Sequence, residues 1–146
     1  MKTVNPYLNF NGNTEEAFNF YRSVFGGEFA SVMRWKDMPG CDQMGPLTDA
    51  DKQAIMHISL PIGGGHVLMG TDSLKSMGHE AIIGTNSHIV LGAESKEEAD
   101  RLFNSLSEGG KAAMPMQNTF WGAYYGMFTD KFGVQWMVNY EYPKAA

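Results

Sequence analysis

The amino-acid sequence carries the same pattern of segments twice, offset by about 82 residues. Thr-Glu-Glu-Ala at 14–17 begins an apolar helical stripe that ends at Gly26 and Gly27, and Lys-Glu-Glu-Ala at 96–99 begins another that ends at a second glycine pair. A duplicated unit of this size cannot bury its own hydrophobic face, so it packs against its copy. The concavity that two such copies enclose is the natural place for a small ligand.

The first copy predicts one strand, one helix and then three more strands. Asn13 followed by Glu16 resembles a capping box at the start of the helix, and a glycine pair ends it. A long loop rich in Pro and Gly is expected over 36–53. The strands predicted from alternation and turn signals cover 4–10, 28–35, 54–62 and 66–71.

The second copy repeats this order. Ser95 with Glu98 forms a stronger capping box, and the helix again ends at two glycines. We expect one domain over 1–146, made of half-repeats at about 1–72 and 86–142 that a linker at 73–85 joins. The strands predicted for this copy cover 87–93, 111–114, 123–129 and 134–140.

The predicted fold class is α+β, with two tandem βαβββ modules. Two such modules form either one curved mixed sheet or two edge-joined sheets. We expect the helices on the convex side and an open concave side.

Composition excludes several classes of function. The net charge is −5 and no cluster of Lys and Arg is present, which argues against nucleic acid and anionic membranes as partners. No apolar run approaches the roughly 20 residues of a membrane helix, and the N-terminal residues lack the apolar stretch of a signal peptide. One cysteine, Cys41, fits a reducing compartment. We therefore expect a cytoplasmic protein that acts on small molecules or protein partners.

Six short motifs accompany these modules, and they lie at 6–10, 20–26, 37–40, 67–70, 120–122 and 130–134. With these modules and motifs, the chain resembles the glyoxalase/bleomycin resistance/extradiol dioxygenase superfamily, also called vicinal oxygen chelate (VOC). The resemblance covers essentially the whole chain, and within the superfamily the chain is similar to the PhnB-like branch.

The PhnB-like branch often bears the domain label 3-demethylubiquinone-9 3-methyltransferase. A classical methyltransferase needs a Gly-rich turn after the first strand of a doubly wound parallel sheet, so that the backbone can approach the cofactor. Here the Gly-rich run at 63–65 lies inside a predicted hairpin in the middle of a half-repeat. We therefore expect no cofactor of that kind.

The resemblance also implies a divalent metal in the concavity, with ligands from the first and fourth strand of each half. Strand alternation directs His88 away from the helix of the second copy and makes Tyr7 its counterpart in the first. The same reasoning on the fourth strands selects Met69 and Met137. Divalent metals prefer carboxylates and imidazoles, and this set offers one imidazole and no carboxylate. We therefore expect no such metal, although two thioethers with a histidine suit Cu(I).

Individual residues keep alternative roles. His88 is either a hydrogen-bonded residue of the pocket wall or a ligand-orienting or catalytic acid/base residue. His57, on the third strand, has the same two interpretations. The segment at 114–122 and the loop at 36–53 are expected to close over the pocket, and Trp121 either stacks on a planar ligand or fills the open end of the sheet. The residues expected to line the pocket are Tyr7, His57, Met69, His88, Trp121 and Met137.

Two classes of function follow. The first is a protein that binds a small, flat or apolar molecule without the usual divalent metal. The second is an enzyme, either a metal-dependent glyoxalase or dioxygenase or a His-based lyase or isomerase. A third possibility is a dimerisation module whose pocket is vestigial. The resemblance implies a homodimer, in agreement with the general preference for two-fold symmetry.

Overall fold

The computed structural model describes residues 1–43 and 45–144. The chain divides into two compact units, Met1–Ile82 and Ile83–Ala146. Each unit contains a four-stranded mixed sheet and one long helix. The predicted α+β class and the two strand-helix-three-strand modules are confirmed, and the strands form two sheets instead of one continuous sheet.

In the first unit the strands lie in the order β1-β4-β3-β2. β1 runs parallel to β4, and the other neighbouring strands are antiparallel. The elements are β1 Tyr7–Phe10, α1 Thr14–Phe25, β2 Ser31–Arg34, α2 Asp49–Gln53, β3 Ile55–Gly63 and β4 His66–Asp72, with 3-10 helices at Trp35–Asp37, Cys41–Gln43 and Lys75–Met77.

The second unit repeats this topology in the order β5-β8-β7-β6, with β5 parallel to β8. Its elements are β5 Ile89–Gly92, α3 Lys96–Leu106, β6 Lys111–Asn118, β7 Ala123–Thr129 and β8 Gln135–Glu141. Among the described residues, no helix is long and apolar enough to cross a membrane.

Two predicted loops differ from the structure. The expected loop over 36–53 contains two short 3-10 helices and α2, which Thr48 caps by accepting a hydrogen bond from the Asp51 N–H at 3.0 Å; Met44 lies outside the described residues. β6 extends to Asn118, so the first part of the expected loop over 114–122 is strand. Pro115 is tolerated there because β6 is an edge strand and its pairing with β7 shifts register nearby.

The start of α1 is stabilised by a residue from β4. Asn13 makes no side-chain capping hydrogen bond, so the predicted capping box is wrong. The buried Asp72 instead accepts hydrogen bonds through Oδ1 from the Thr14 hydroxyl at 2.6 Å and the Thr14 N–H at 3.0 Å. The same oxygen accepts from the Gly12 N–H at 3.0 Å, and Oδ2 accepts from the Ile55 N–H at 2.8 Å. One carboxylate thus joins the helix start to two strands.

The start of α3 follows the prediction more closely. The Ser95 side chain accepts a hydrogen bond from the Glu98 N–H at 3.0 Å. The Glu98 carboxylate accepts from the Glu94 N–H at 3.2 Å, one residue before the N-cap position at which a capping box closes. The serine half of the predicted box is therefore confirmed.

Each long helix packs on one face of its own sheet. In both sheets a glycine admits an aromatic ring from the helix. A Cβ at Gly70 in β4 would lie 2.6 Å from Cε1 of Phe18, and a Cβ at Gly126 in β7 would lie 2.9 Å from Cε2 of Phe103. The two units place this glycine on different strands, so their cores are packed differently on the same topology.

Candidate functional site

Predicted site residues of the first unit lie on the sheet face opposite α1, which we call the far face. Tyr7 pairs with Met69, and Met69 pairs with Ser59. Leu68 is fully buried on the side of α1, so its neighbour Met69 points the other way, since side chains alternate along a strand. His57 lies two residues before Ser59 and therefore shares the far face. The structure brings Tyr7, His57 and Met69 together.

Tyr7 and His57 are in direct contact. The Tyr7 Oη lies 3.1 Å from Nδ1 of His57, and the two ring centroids are 5.7 Å apart with an interplanar angle of 34°. The residues are 50 positions apart in the chain, so this pair is a product of the sheet. The pair places a phenol and an imidazole side by side on the far face.

The Tyr7 hydroxyl is partly desolvated although 44% of the residue surface is exposed. Burial raises the pKa of Tyr7 above its ordinary value, and a hydrogen bond with the Thr71 hydroxyl acts weakly in the opposite direction. The proton of Thr71 Oγ1 is donated to the Met56 carbonyl at 2.7 Å. Tyr7 therefore stays protonated throughout the physiological pH range.

The far face of the second unit carries a row of thioethers. Val90 pairs with Met137, Met137 pairs with Met127, and Met127 pairs with Met114. Trp136, next to Met137, is fully buried on the side of α3. One row of residues on this far face is thus apolar and polarisable across all four strands.

The pairing register corrects the predicted equivalence of His88 and Tyr7. β5 begins at Ile89, so His88 lies one residue before the strand. Val90 is the residue opposite Met137, and it occupies the position that Tyr7 occupies in the first unit. Residues two apart in a strand point to the same face, so alternation alone could not distinguish these two positions.

Trp121 lies in the turn between β6 and β7 beside another exposed aromatic residue. Phe120 is 98% exposed and Trp121 is 61% exposed, and their rings form an edge-to-face pair with centroids 4.9 Å apart. The Trp121 ring also lies 6.3 Å from that of Tyr125. The Tyr125 hydroxyl donates to Sδ of Met127 at 3.7 Å, which links this aromatic group to the thioether row.

Tyr125 and Met127 were not among the predicted site residues. The sequence contained the information, because Tyr125 and Met127 are two residues apart in β7 and therefore lie on the same face of the sheet. The register adds that Tyr125 corresponds to His57, since the pairing of β7 with β8 repeats that of β3 with β4. The position that holds an imidazole in the first unit thus holds a phenol in the second.

The donor atoms do not fit the divalent metal that the resemblance implies. The two positions opposite each other are tyrosine and methionine in the first unit, and valine and methionine in the second. Neither pair offers a carboxylate or an imidazole. Within residues 1–43 and 45–144, no group of three or more His, Cys, Asp or Glu side chains could hold a metal ion.

A cleft of about 740 Å³ lies elsewhere in the first unit, near the start of α1. Its described wall contains none of the predicted site residues. Arg34 and Glu15 form an ion pair there, with 2.6 Å between Nη2 and Oε2, and Lys75 and Asp51 add further charge. The described wall also contains Ile55 and Leu74 but no aromatic side chain, so it does not provide the stacking surface expected for a flat ligand.

Comparison with known proteins identifies the family. The sequence model of the protein family described as the Glyoxalase/Bleomycin resistance protein/Dioxygenase superfamily matches residues 3–138. The chain belongs to this superfamily. Protein YjdN of Escherichia coli strain K12 is 33% identical over 144 residues, which are 93% of this chain and 93% of YjdN.

Known structures place this superfamily member near the PhnB proteins. Protein PA1353 from Pseudomonas aeruginosa is 41% identical, with a TM-score of 0.83 over 97% of this chain and 98% of that one. A PhnB protein from Bacillus cereus, whose name assigns it provisionally as a 3-demethylubiquinone-9 3-methyltransferase, is 27% identical. Its TM-score is 0.73 over 95% of this chain and 99% of that one. The predicted PhnB-like resemblance is confirmed.

Proposed function

We propose that this superfamily member binds a small, flat or apolar molecule on the far faces of its sheets, without the usual divalent metal. The observation that carries the proposal is the composition of those faces. The far face of the first unit carries a hydrogen-bonded tyrosine and histidine beside Met69, and the far face of the second unit carries a thioether row next to an exposed tryptophan. Apolar walls with a few placed polar groups are typical of small-molecule sites.

The side chains of the second unit's far face can accommodate ligands of different shapes. Methionine is unbranched and polarisable, so the row of Met114, Met127 and Met137 can adapt to different ring systems. Trp121 and Tyr125 add aromatic surface for stacking. The far face of the second unit therefore favours binding by contact area, whereas Tyr7 and His57 on the far face of the first unit offer polar groups that can orient a ligand.

The alternative is an enzyme. The contact between Tyr7 and His57 favours a His-based lyase or isomerase over a metal-dependent glyoxalase or dioxygenase, because an imidazole that is oriented by a second group is the usual form of a general acid or base. We also propose His88 as a catalytic residue of this alternative enzyme. The metal-dependent mechanism lacks ligands of the required chemistry at the paired positions.

Saturation-transfer NMR with a panel of flat bicyclic compounds tests the binding proposal. The variants Met69→Ala and Met137→Ala each remove a thioether from a far face, and Val32→Ala is the matched control because Val32 pairs with Ile58 on the helix side of its sheet. We expect both methionine variants to weaken binding and the control to retain it. If no compound binds, or if all three variants behave alike, the proposal is refuted.

A metal titration distinguishes the proposed metal-free binding of a small molecule from the metal-dependent enzyme. The purified protein is titrated with Ni²⁺, Zn²⁺ and Mn²⁺ in a calorimeter, and His88→Ala is compared with wild type. No stoichiometric binding is expected. Stoichiometric binding that is lost in the variant would make the metal-dependent enzyme the leading hypothesis.

We also propose that the protein is a cytoplasmic homodimer. Cys41 is a free thiol, which fits a reducing compartment. The superfamily resemblance and the preference for two-fold symmetry support a dimer. Light scattering tests the assembly, since the chain mass is 16.2 kDa and a monomer in solution at that mass would refute it.

A further inference from the structure

The contact between Tyr7 and His57 constrains where the imidazole carries its proton. Neutral histidine has one protonated and one bare ring nitrogen, and the hydrogen bond made by one nitrogen selects the tautomer. The nitrogen that faces Tyr7 is Nδ1, at 3.1 Å from the hydroxyl oxygen. Either Tyr7 donates to a bare Nδ1, or a protonated Nδ1 donates to Tyr7.

The chemistry of the two groups favours Tyr7 as the donor. A phenol is a good donor and a poor acceptor, because its oxygen lone pair is delocalised into the ring, whereas a bare imidazole nitrogen is a strong acceptor. Burial keeps the phenol protonated by raising the pKa of Tyr7.

The other nitrogen of His57 then carries the proton. Within the part of the chain that the structure describes, Nε2 of His57 makes no hydrogen bond. Three of its neighbours on the far face are uncharged: Met33 in β2 pairs with His57, Ser59 lies two residues further along β3, and Met69 in β4 pairs with Ser59. An N–H group on an apolar face is a strong site for an acceptor oxygen, since an unpaired donor there is costly once water is displaced.

We propose that Tyr7 is a positioning residue that holds His57 as the Nε2–H tautomer, so that His57 donates a hydrogen bond to a neutral carbonyl or similar acceptor oxygen of the ligand. The ligand class is a flat molecule that bears such an oxygen. The statement about the ligand rests on the proposed function, whereas the statement about the tautomer rests on the Tyr7–His57 contact alone.

The tautomer is tested without any ligand by long-range ¹H–¹⁵N NMR of histidine-labelled protein at about pH 8, where an unperturbed imidazole is neutral. We expect Nδ1 of His57 to have the shift of a bare nitrogen and Nε2 that of a protonated one. In Tyr7→Phe the two shifts should move toward the averages shown by the exposed His66 and His79. A protonated Nδ1 in wild type, or an unchanged spectrum in Tyr7→Phe, would overturn the proposal.

The ligand class is tested with two probes of the same shape, 1-indanone and indane, of which only the first has a carbonyl oxygen. One neutral hydrogen bond predicts a preference for 1-indanone of about 2- to 10-fold in Kd. The preference should disappear in His57→Phe, which keeps a flat ring, and shrink in Tyr7→Phe. Met69→Leu is the matched control and should keep the ratio while changing both affinities alike.

The outcomes distinguish the two levels of the proposal. Equal binding of both probes to wild type overturns the donor role of His57 while leaving the proposed binding function intact. If neither probe binds, the ligand class fails together with the proposed function for ligands of this kind, and the NMR spectrum still decides whether Tyr7 sets the tautomer. A preference that survives in His57→Phe assigns the donor to another group and overturns the proposal.

Discussion

Replacing Gly70 by alanine tests how closely α1 packs against its sheet. The added Cβ would lie 2.6 Å from Cε1 and 2.9 Å from Cζ of Phe18, and 3.2 Å from the Leu8 carbonyl oxygen. Phe18 has no exposed surface, and its ring packs edge-to-face against Phe10 and Tyr21 with centroids 6.5 and 5.6 Å away. The ring therefore cannot move aside without disturbing both neighbours.

The expected cost follows from these contacts. Overpacking a well-ordered core typically destabilises a protein by about 1–3 kcal/mol. Gly70 does not have the positive φ that favours glycine, so alanine recovers about 0.4–1 kcal/mol through the reduced entropy of the unfolded chain. We expect a net loss in unfolding free energy of about 1–2 kcal/mol and a fall in Tm of about 3–8 °C.

The assay is urea and thermal unfolding followed by circular dichroism. Gly92→Ala in β5 is the matched control, because a Cβ there would meet no atom within 4 Å, so the unfolding free energy should not fall and should rise by about 0.4–1 kcal/mol through the same entropy effect. Phe18→Leu combined with Gly70→Ala should cost less than the sum of the single variants by about 1 kcal/mol. Equal stability of the two alanine variants, or strict additivity in the double variant, would refute the reasoning.

Three further outcomes are expected. Asp72→Ala removes the acceptor of four hydrogen bonds at the start of α1 and should lower the unfolding free energy by about 3–4 kcal/mol in urea titrations; a loss below 1 kcal/mol would contradict the capping role. The hydrogen bond to Asp100, with partial burial, raises the pKa of Tyr124 to about 12. Because the folded-state pKa lies above the unfolded value near 10, this contribution to stability is complete below about pH 10 and is lost as the pH rises toward 12; the extra pH dependence should be absent in Tyr124→Phe. Mass spectrometry of the purified protein should find no stoichiometric divalent metal, and a bound metal would contradict the interpretation of the donor set.

Local patterns predicted most of the fold. The alternation of apolar residues located β7 at its observed bounds, Ala123–Thr129, and the serine of the second capping box begins α3 as expected. These features depend on contacts within a few residues, so they can be read from a short window of sequence. The same holds for the order of elements in the two modules, because each helix and each strand carries its own hydrophobic period.

The candidate site depended on contacts between distant residues. Tyr7 and His57 could each be assigned to a sheet face, but their 3.1 Å contact arises because β1 and β3 both pair with β4. Val90 displaced His88 as the counterpart of Tyr7 because backbone hydrogen bonding sets the register, and a shift of two residues leaves the hydrophobic pattern unchanged.

Asp72 shows that contacts in the core between distant residues are equally hard to predict from local sequence. Its position directly after a predicted strand did not indicate that it would cap a helix that begins 58 residues earlier, in place of Asn13. The periods of the sequence therefore specified the modules, their order and the face that each side chain occupies. Tertiary structure decided which side chains on a face meet, because that depends on strand pairing between segments distant in the chain.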